Sequence, residues 1–137
     1  MRPTLPGTAA SALLLALAAC GSPDSVALQQ ARDSIAATLP EPYFEDLVIE
    51  SVAVEGSALV QLVRSPEGSA AAIRAHPRFE ELRQSEQDAL PDLCASPAIA
   101  PLAATGARLV RRFIDREGDV FFEVEMPAHA CDDATRE

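Results

Sequence analysis

Three cysteines, two histidines and a few paired carboxylates are the residues of this chain from which a chemical site could be built. Near the C-terminus His129, Cys131, Asp132 and Asp133 stand close together. On an extended strand His129 and Cys131 would face one way, and thiolate, imidazole and carboxylate are the ligands zinc takes. A structural zinc site needs several converging ligands, however, and the remaining candidates, His76 and Cys94, have no paired CxxC or HxxxH spacing. His76, beside Pro77 in a polar stretch, reads as a surface histidine. The carboxylate pairs Glu80-Glu81 and Asp132-Asp133 are adjacent in sequence, and neighbours on a helix do not share a face, so acid/base work by either pair is not expected. There is no GxSxG elbow, no glycine-rich phosphate loop and no HExxH. These residues predict no catalytic centre and no cofactor. The metal set His129, Cys131, Asp132 stays as an alternative that requires a free Cys131 thiol.

The third cysteine, Cys20, stands in a different setting. Arg2 supplies a positive charge, and residues 9–19 are almost wholly Ala and Leu. As a helix they would reach about 16 Å against roughly 30 Å of hydrocarbon, too short to span but suited to a secretory signal. The residues Leu17-Ala18-Ala19-Cys20, followed by Gly21-Ser22, resemble the lipobox of bacterial lipoproteins. The resemblance implies cleavage before Cys20, a diacylglyceryl group on its sulfur and usually acylation of the new amine. Several acyl chains, each worth about 0.8 kcal/mol per buried CH₂, would anchor the protein firmly. Enterobacterial sorting uses Asp after the cysteine to retain lipoproteins at the inner membrane; Gly21 here favours the outer membrane, periplasmic face.

With Cys20 committed to lipid, Cys94 and Cys131 remain as an even pair in a compartment where disulfides persist, and they are expected to be bonded. Closing so long a loop is worth about 4 kcal/mol in the chain-entropy model. The domain division expected is a signal peptide over 1–19, a lipidated N-terminus and short tether over 20–24, and one α+β domain over 25–137. The chain carries a net charge of −10 and loses one further positive charge, Arg2, with the signal. So acidic a surface disfavours nucleic acid and anionic lipid heads and points to neutral or basic partners. All 11 basic residues are arginine, a matter of codon usage rather than function.

The elements that must hold these residues follow from periodicity. Ser22-Pro23-Asp24 is a helix start, with Ser22 or Asp24 as cap, and Leu28, Ala31, Ile35 and Leu39 recur on one helical face before Pro40 and Pro42 stop it. Residues 47–55 and 58–64, rich in Val, Leu and Ile and divided by Gly56-Ser57, read as a hairpin. Short helices broken by proline are expected over 69–76, 77–84, 86–93 and 97–105. A second hairpin joins 107–115 to 119–126 through Arg116-Glu117-Gly118. In its last strand Val120, Phe122, Val124 and Met126 should face the core and Glu123 and Glu125 the solvent, opposite arginines of the preceding strand. Phe121 breaks the alternation and is either an exposed contact or a residue covered by a helix. The fold class expected is α+β: an N-terminal helix, two hairpins forming an antiparallel sheet, a helical middle segment packed on it, and one disulfide.

The stretch from Cys94 to Cys131, with a short helix, Gly106, a strand, Asp115-Arg116-Glu117-Gly118, a second strand and a closing cysteine, resembles the C-terminal part of small α/β pilotin lipoproteins of type II secretion. That resemblance implies a lipid anchor, a disulfide and a protein partner, a short segment of an outer-membrane secretin; it carries over no binding residue. The expected function is therefore a membrane-anchored, non-enzymatic binding or assembly lipoprotein, which takes its partner by strand addition at a sheet edge or by helix docking. The alternative is a periplasmic metal or small-ligand binding lipoprotein.

Overall fold

A computed structural model describes residues 21–134. The signal over 1–19 and Cys20, with its expected lipid, lie outside the described residues. Helix α1, Pro23–Ala36, begins where expected: Ser22 Oγ accepts from the Ser25 amide at 3.1 Å, and Pro23 occupies the first turn. Its apolar stripe buries Leu28 and Ala31. Asp24 is not the cap; its carboxylate reaches the Gly106 amide at 3.3 Å and ties the start of the domain to the loop before the second hairpin.

Both hairpins form, β2 (Val48–Glu55) with β3 (Ala58–Arg64) and β4 (Arg108–Ile114) with β5 (Val120–Pro127), after a two-residue strand β1, Glu41–Pro42. The order is β1-β2-β3-β4-β5. Each hairpin is antiparallel as expected, but β3 pairs with β4 in parallel, Ala58 opposite Arg108 and Arg64 opposite Ile114, so the sheet is mixed. The cause is the middle segment. Residues 65–107 form a crossover that returns the chain to the end of the sheet where β3 began, and a parallel join requires such a return. Gly118, at φ 94°, turns the second hairpin, donating its amide to the Asp115 carbonyl at 3.1 Å.

The crossover is helical with shifted boundaries. It contains α2 (Ala70–Arg74), α3 (Phe79–Ala89) and two 3-10 segments, Leu90–Ala95 and Ala100–Ala104. The helices expected over 77–84 and 86–93 are thus one α-helix that tightens into a 3-10 turn at Leu90-Pro91. After β5 a last short helix, α4 (Ala130–Ala134), carries Cys131, which is bonded to Cys94 across a Cα–Cα distance of 5.2 Å. The disulfide clips the crossover to the end of the sheet.

One sheet face is covered by these helices, and its core includes Leu59, Val63, Leu109, Phe113, Phe122 and Val124. A β-bulge sets the end of β5: Phe113 opposes Phe122, but Ile114 opposes Val120, which leaves Phe121 as an extra residue. Both phenylalanines therefore turn inward. Phe121 is 5% exposed and packs on Phe113 and Phe122 with ring centroids 6.0 and 5.3 Å apart. Val120, expected in the core, is instead 39% exposed.

Candidate functional site

The residues singled out for metal or acid/base chemistry are considered first. Cys131 is buried in the disulfide, and His129 and Asp132 are exposed, in a turn and a short helix rather than on a strand. The metal alternative His129, Cys131, Asp132 has thereby lost its sulfur ligand and its shared strand face. Among the described residues no group of three His, Cys, Asp or Glu side chains is placed to hold a metal. His76 is on the surface as expected, its Nδ1 accepting from the Arg78 amide at 3.2 Å. Glu80 and Glu81 form exposed ion pairs with Arg83 and Arg78, and the Arg78 guanidinium holds the Glu81 carboxyl below its ordinary range.

An open groove of about 650 Å³ runs between α2, α3 and the turn after β1. Its apolar walls are Phe44, Ile73, Phe79 and Leu82, with His76, Arg78, Glu45 and Glu81 around them. Phe44 is 61% exposed and Leu82 41%, large apolar groups left in water across from one another. Local geometry presents Phe44. The turn is closed by the Tyr43 amide on the Leu47 carbonyl at 3.0 Å and the Leu47 amide on the Phe44 carbonyl at 2.9 Å, which puts Glu45 at φ 52°. A left-handed non-glycine residue costs roughly 1–2 kcal/mol, so the tight turn is maintained against a local penalty.

The two walls are bolted together underneath. Tyr43, next to Phe44, donates its hydroxyl to Glu86 Oε2 on α3 at 2.6 Å, and receives Arg111 Nη1 of β4 at 2.7 Å. The Arg111 guanidinium carbon lies 4.6 Å from the Tyr43 ring centroid, and its Nε donates to Gln61 Oε1 at 3.3 Å. Arg111 is 4% exposed, on the helix-covered face of the sheet. Burial, and then the bond to Glu86, push the Tyr43 hydroxyl up to about 12 from its usual 10. The neutral tyrosine thus bridges two charged groups whose own separation, Nη1 to Oε2, is 3.8 Å.

Strand addition meets closed ground on one side. On the outer edge of β5, Arg74 Nη1 donates to the Val120 carbonyl at 2.7 Å and Gln87 Nε2 to the Glu125 carbonyl at 2.8 Å. Side chains of α2 and α3 thus occupy acceptors that an added strand would use, a common way of blunting an edge. Of the expected docking modes, the groove is the better formed. Sequence periodicity did not reveal it, because its apolar residues come from three separate elements. The signal that was present is Phe44, an aromatic residue between Pro42 and Asp46 in a polar turn.

No protein-family model matches the chain, and no curated protein matches it. Solved structures of similar fold include a candidate secreted protein from Pseudomonas aeruginosa, 20% identical with a TM-score of 0.60, covering 79% of this chain and 92% of that one. They also include a pilotin from the Vibrio vulnificus type 2 secretion system, 16% identical with a TM-score of 0.53, covering 77% of this chain and 88% of that one. At these identities the likeness is one of fold. Among the described residues no helix is long and apolar enough to cross a membrane.

Proposed function

We propose that this chain is a non-enzymatic binding lipoprotein of the cell envelope, anchored through Cys20 at the outer membrane, whose groove receives an amphipathic helical segment of a protein partner. The observation that carries the reading is the pair of exposed side chains Phe44 and Leu82 beside the apolar residues Ile73 and Phe79 in one open groove, the kind of surface on which an amphipathic helix lays its apolar face. The acidic chain, with Glu45 at the groove and Glu81 already paired with Arg78, favours a partner segment that is neutral or basic. A pilotin among the structures of similar fold supports an assembly role, and a secretin segment, the partner implied by the resemblance of the Cys94 to Cys131 stretch to pilotins, is the first to test.

The test is site-specific photo-cross-linking in living cells from Phe44, from Leu82 and, as control, from Glu123 on the opposite sheet face. The expected result is one envelope protein captured from both groove positions, not from Glu123, and lost when the other groove residue carries the charge of Leu82→Asp or Phe44→Asp. Capture of the same proteins from Glu123, or cross-links indifferent to those charges, would overturn the reading. Anchoring is read separately. Cys20→Ser should block processing of the full-length precursor and release it from the membrane fraction, and unchanged processing and fractionation would refute the lipid anchor.

A further inference from the structure

Behind the groove, Arg111 also lines the floor of a second cavity, of about 390 Å³, between the end of α1, the 3-10 segments and the sheet. That volume lies within the roughly 300–1,000 Å³ of small-molecule sites. Its floor presents two unused donors. Arg111 engages Gln61 through Nε and Tyr43 through Nη1, and Gln61 engages Arg111 through its carbonyl oxygen. Among the described residues no hydrogen bond is made by Arg111 Nη2 or Gln61 Nε2, each of which keeps some accessible surface, and both residues line the cavity. Both residues are at least nine-tenths buried, so bulk water offers them little replacement.

The charge at the floor is also incompletely answered. Arg111 and Glu86 stand 3.8 Å apart, beyond the roughly 2.7–2.9 Å of a charge-assisted hydrogen bond, with the neutral Tyr43 hydroxyl between them. A second carboxylate would complete the pairing from the cavity side. The side walls carry Ile35, Ile49 and Ile99 among the hydroxyls of Ser34, Thr38 and Ser96, and two exposed carboxylates, Glu41 and Asp92, also line the cavity. The floor thus asks for an anionic oxygen, the walls for an apolar body and the two carboxylates for a cation.

We propose that this cavity binds a small zwitterion of the amino-acid class: carboxylate on Arg111 Nη2 and Gln61 Nε2, side chain against Ile35, Ile49 and Ile99, ammonium toward Glu41 and Asp92. The cavity shares Arg111 with the network beneath the groove but needs no partner seated there. A dianion is disfavoured by these two acids, and a bare amine lacks a partner for the floor.

The test is calorimetric titration of the full-length protein, extracted in detergent, with L-leucine, L-phenylalanine and L-arginine, alongside two half-ligands: 4-methylpentanoate, which is leucine without its amine, and 3-methylbutylamine, which is leucine without its carboxylate. At least one amino acid is expected to bind saturably, with either half-ligand about tenfold weaker or more than the corresponding amino acid. Asp92→Asn, at an exposed position, should weaken the amino acid about tenfold and should not weaken 4-methylpentanoate. Arg111→Met should abolish binding. No binding of any of the three amino acids at millimolar concentration, equal binding by 4-methylpentanoate, or binding indifferent to Asp92→Asn would each overturn the proposal.

Discussion

Arg111 and Arg112 are neighbours in β4, yet they live on opposite faces of the sheet under opposite energetic regimes. Arg111 points under the helices, where its charge is held by a tyrosine, a glutamine and, at 3.8 Å, Glu86. Arg112 points to the open face, where it pairs with Glu123 at 2.7 Å and Glu55 at 2.9 Å. Arg108–Glu125 and Arg64–Glu50 pair on the same face, and the side chains of Arg108, Arg112, Glu55, Glu123 and Glu125 surround the small buried patch Ala58, Val60 and Val110. On the open face water competes with every pair, so these pairs fix register and solubility. Under the helices bulk water is a poor replacement for a lost partner. More numerous and shorter ion pairs therefore mark the face that matters less for stability, and the sparse buried network marks the face that holds the groove together.

The sharpest way to break this contrast is Arg111→Met. Removing one member of a buried network should cost about 3–5 kcal/mol by chemical denaturation, because Glu86 and Tyr43 are left facing each other without the cation. A loss under about 1 kcal/mol would mean the covered face is wetter than its burial indicates. Reducing the Cys94–Cys131 bond, which staples the same face, should cost about 2–5 kcal/mol, read as a lower denaturant midpoint in dithiothreitol. Alkali sharpens the comparison further. Tyr43 is the chain's one tyrosine, so ultraviolet titration reads it alone. With its pKa raised to about 12 in the folded state from an unfolded value near 10, its contribution is complete below pH ~10 and is lost as pH rises through ~12; Tyr43→Phe should remove that alkaline limb. In acid the corresponding group is Asp115, whose carboxylate accepts from the amides of Ala70, Glu117 and Asp119 and is held below its ordinary range by them. Its contribution is present above the unfolded carboxyl pKa, near 3.9, and is lost as pH falls through the lower folded value, so Asp115→Asn should flatten the acid limb. The smallest effect belongs to the open face: Arg112→Gln should cost at most about 1 kcal/mol, and less in high salt.

Which of this could be read beforehand depended on how local the cause was. Helix α1, both hairpins and their turns follow from a cap, a proline, a glycine and alternation within a few residues, and all stand close to their expected boundaries. The disulfide was expected from the two cysteines left once Cys20 is assigned to the expected lipid site of an exported protein. The parallel join of β3 to β4 does not, because it depends on where a 43-residue crossover returns the chain. Val120 and Phe121 exchange places because a bulge, set by packing around Phe113, shifts the alternation by one. Arg111 is hidden for a related reason: the pattern Leu109-Val110-Arg111-Arg112-Phe113 offers two adjacent arginines, and only the register across Gln61 and Val124 decides which is buried. The groove and the cavity assemble residues far apart in the chain.

Asp24 and Gly106 join the first turn of α1 to the end of the sheet where β4 begins. The groove helix α3 starts at the other end, where Phe79 meets Phe122 with ring centroids 5.9 Å apart and Phe122 opposes Phe113. From Arg108 to Phe113 the strand rises about 17 Å. With a lipid on Cys20, the domain would stand on the bilayer like a post rather than hang from it on a string. Its footing would be the loop at Gly106, its open groove would be held at a fixed height above the lipid heads, and a partner would have to present its segment at that height. Lengthening the few residues between Cys20 and Asp24 would change this standoff without touching the groove.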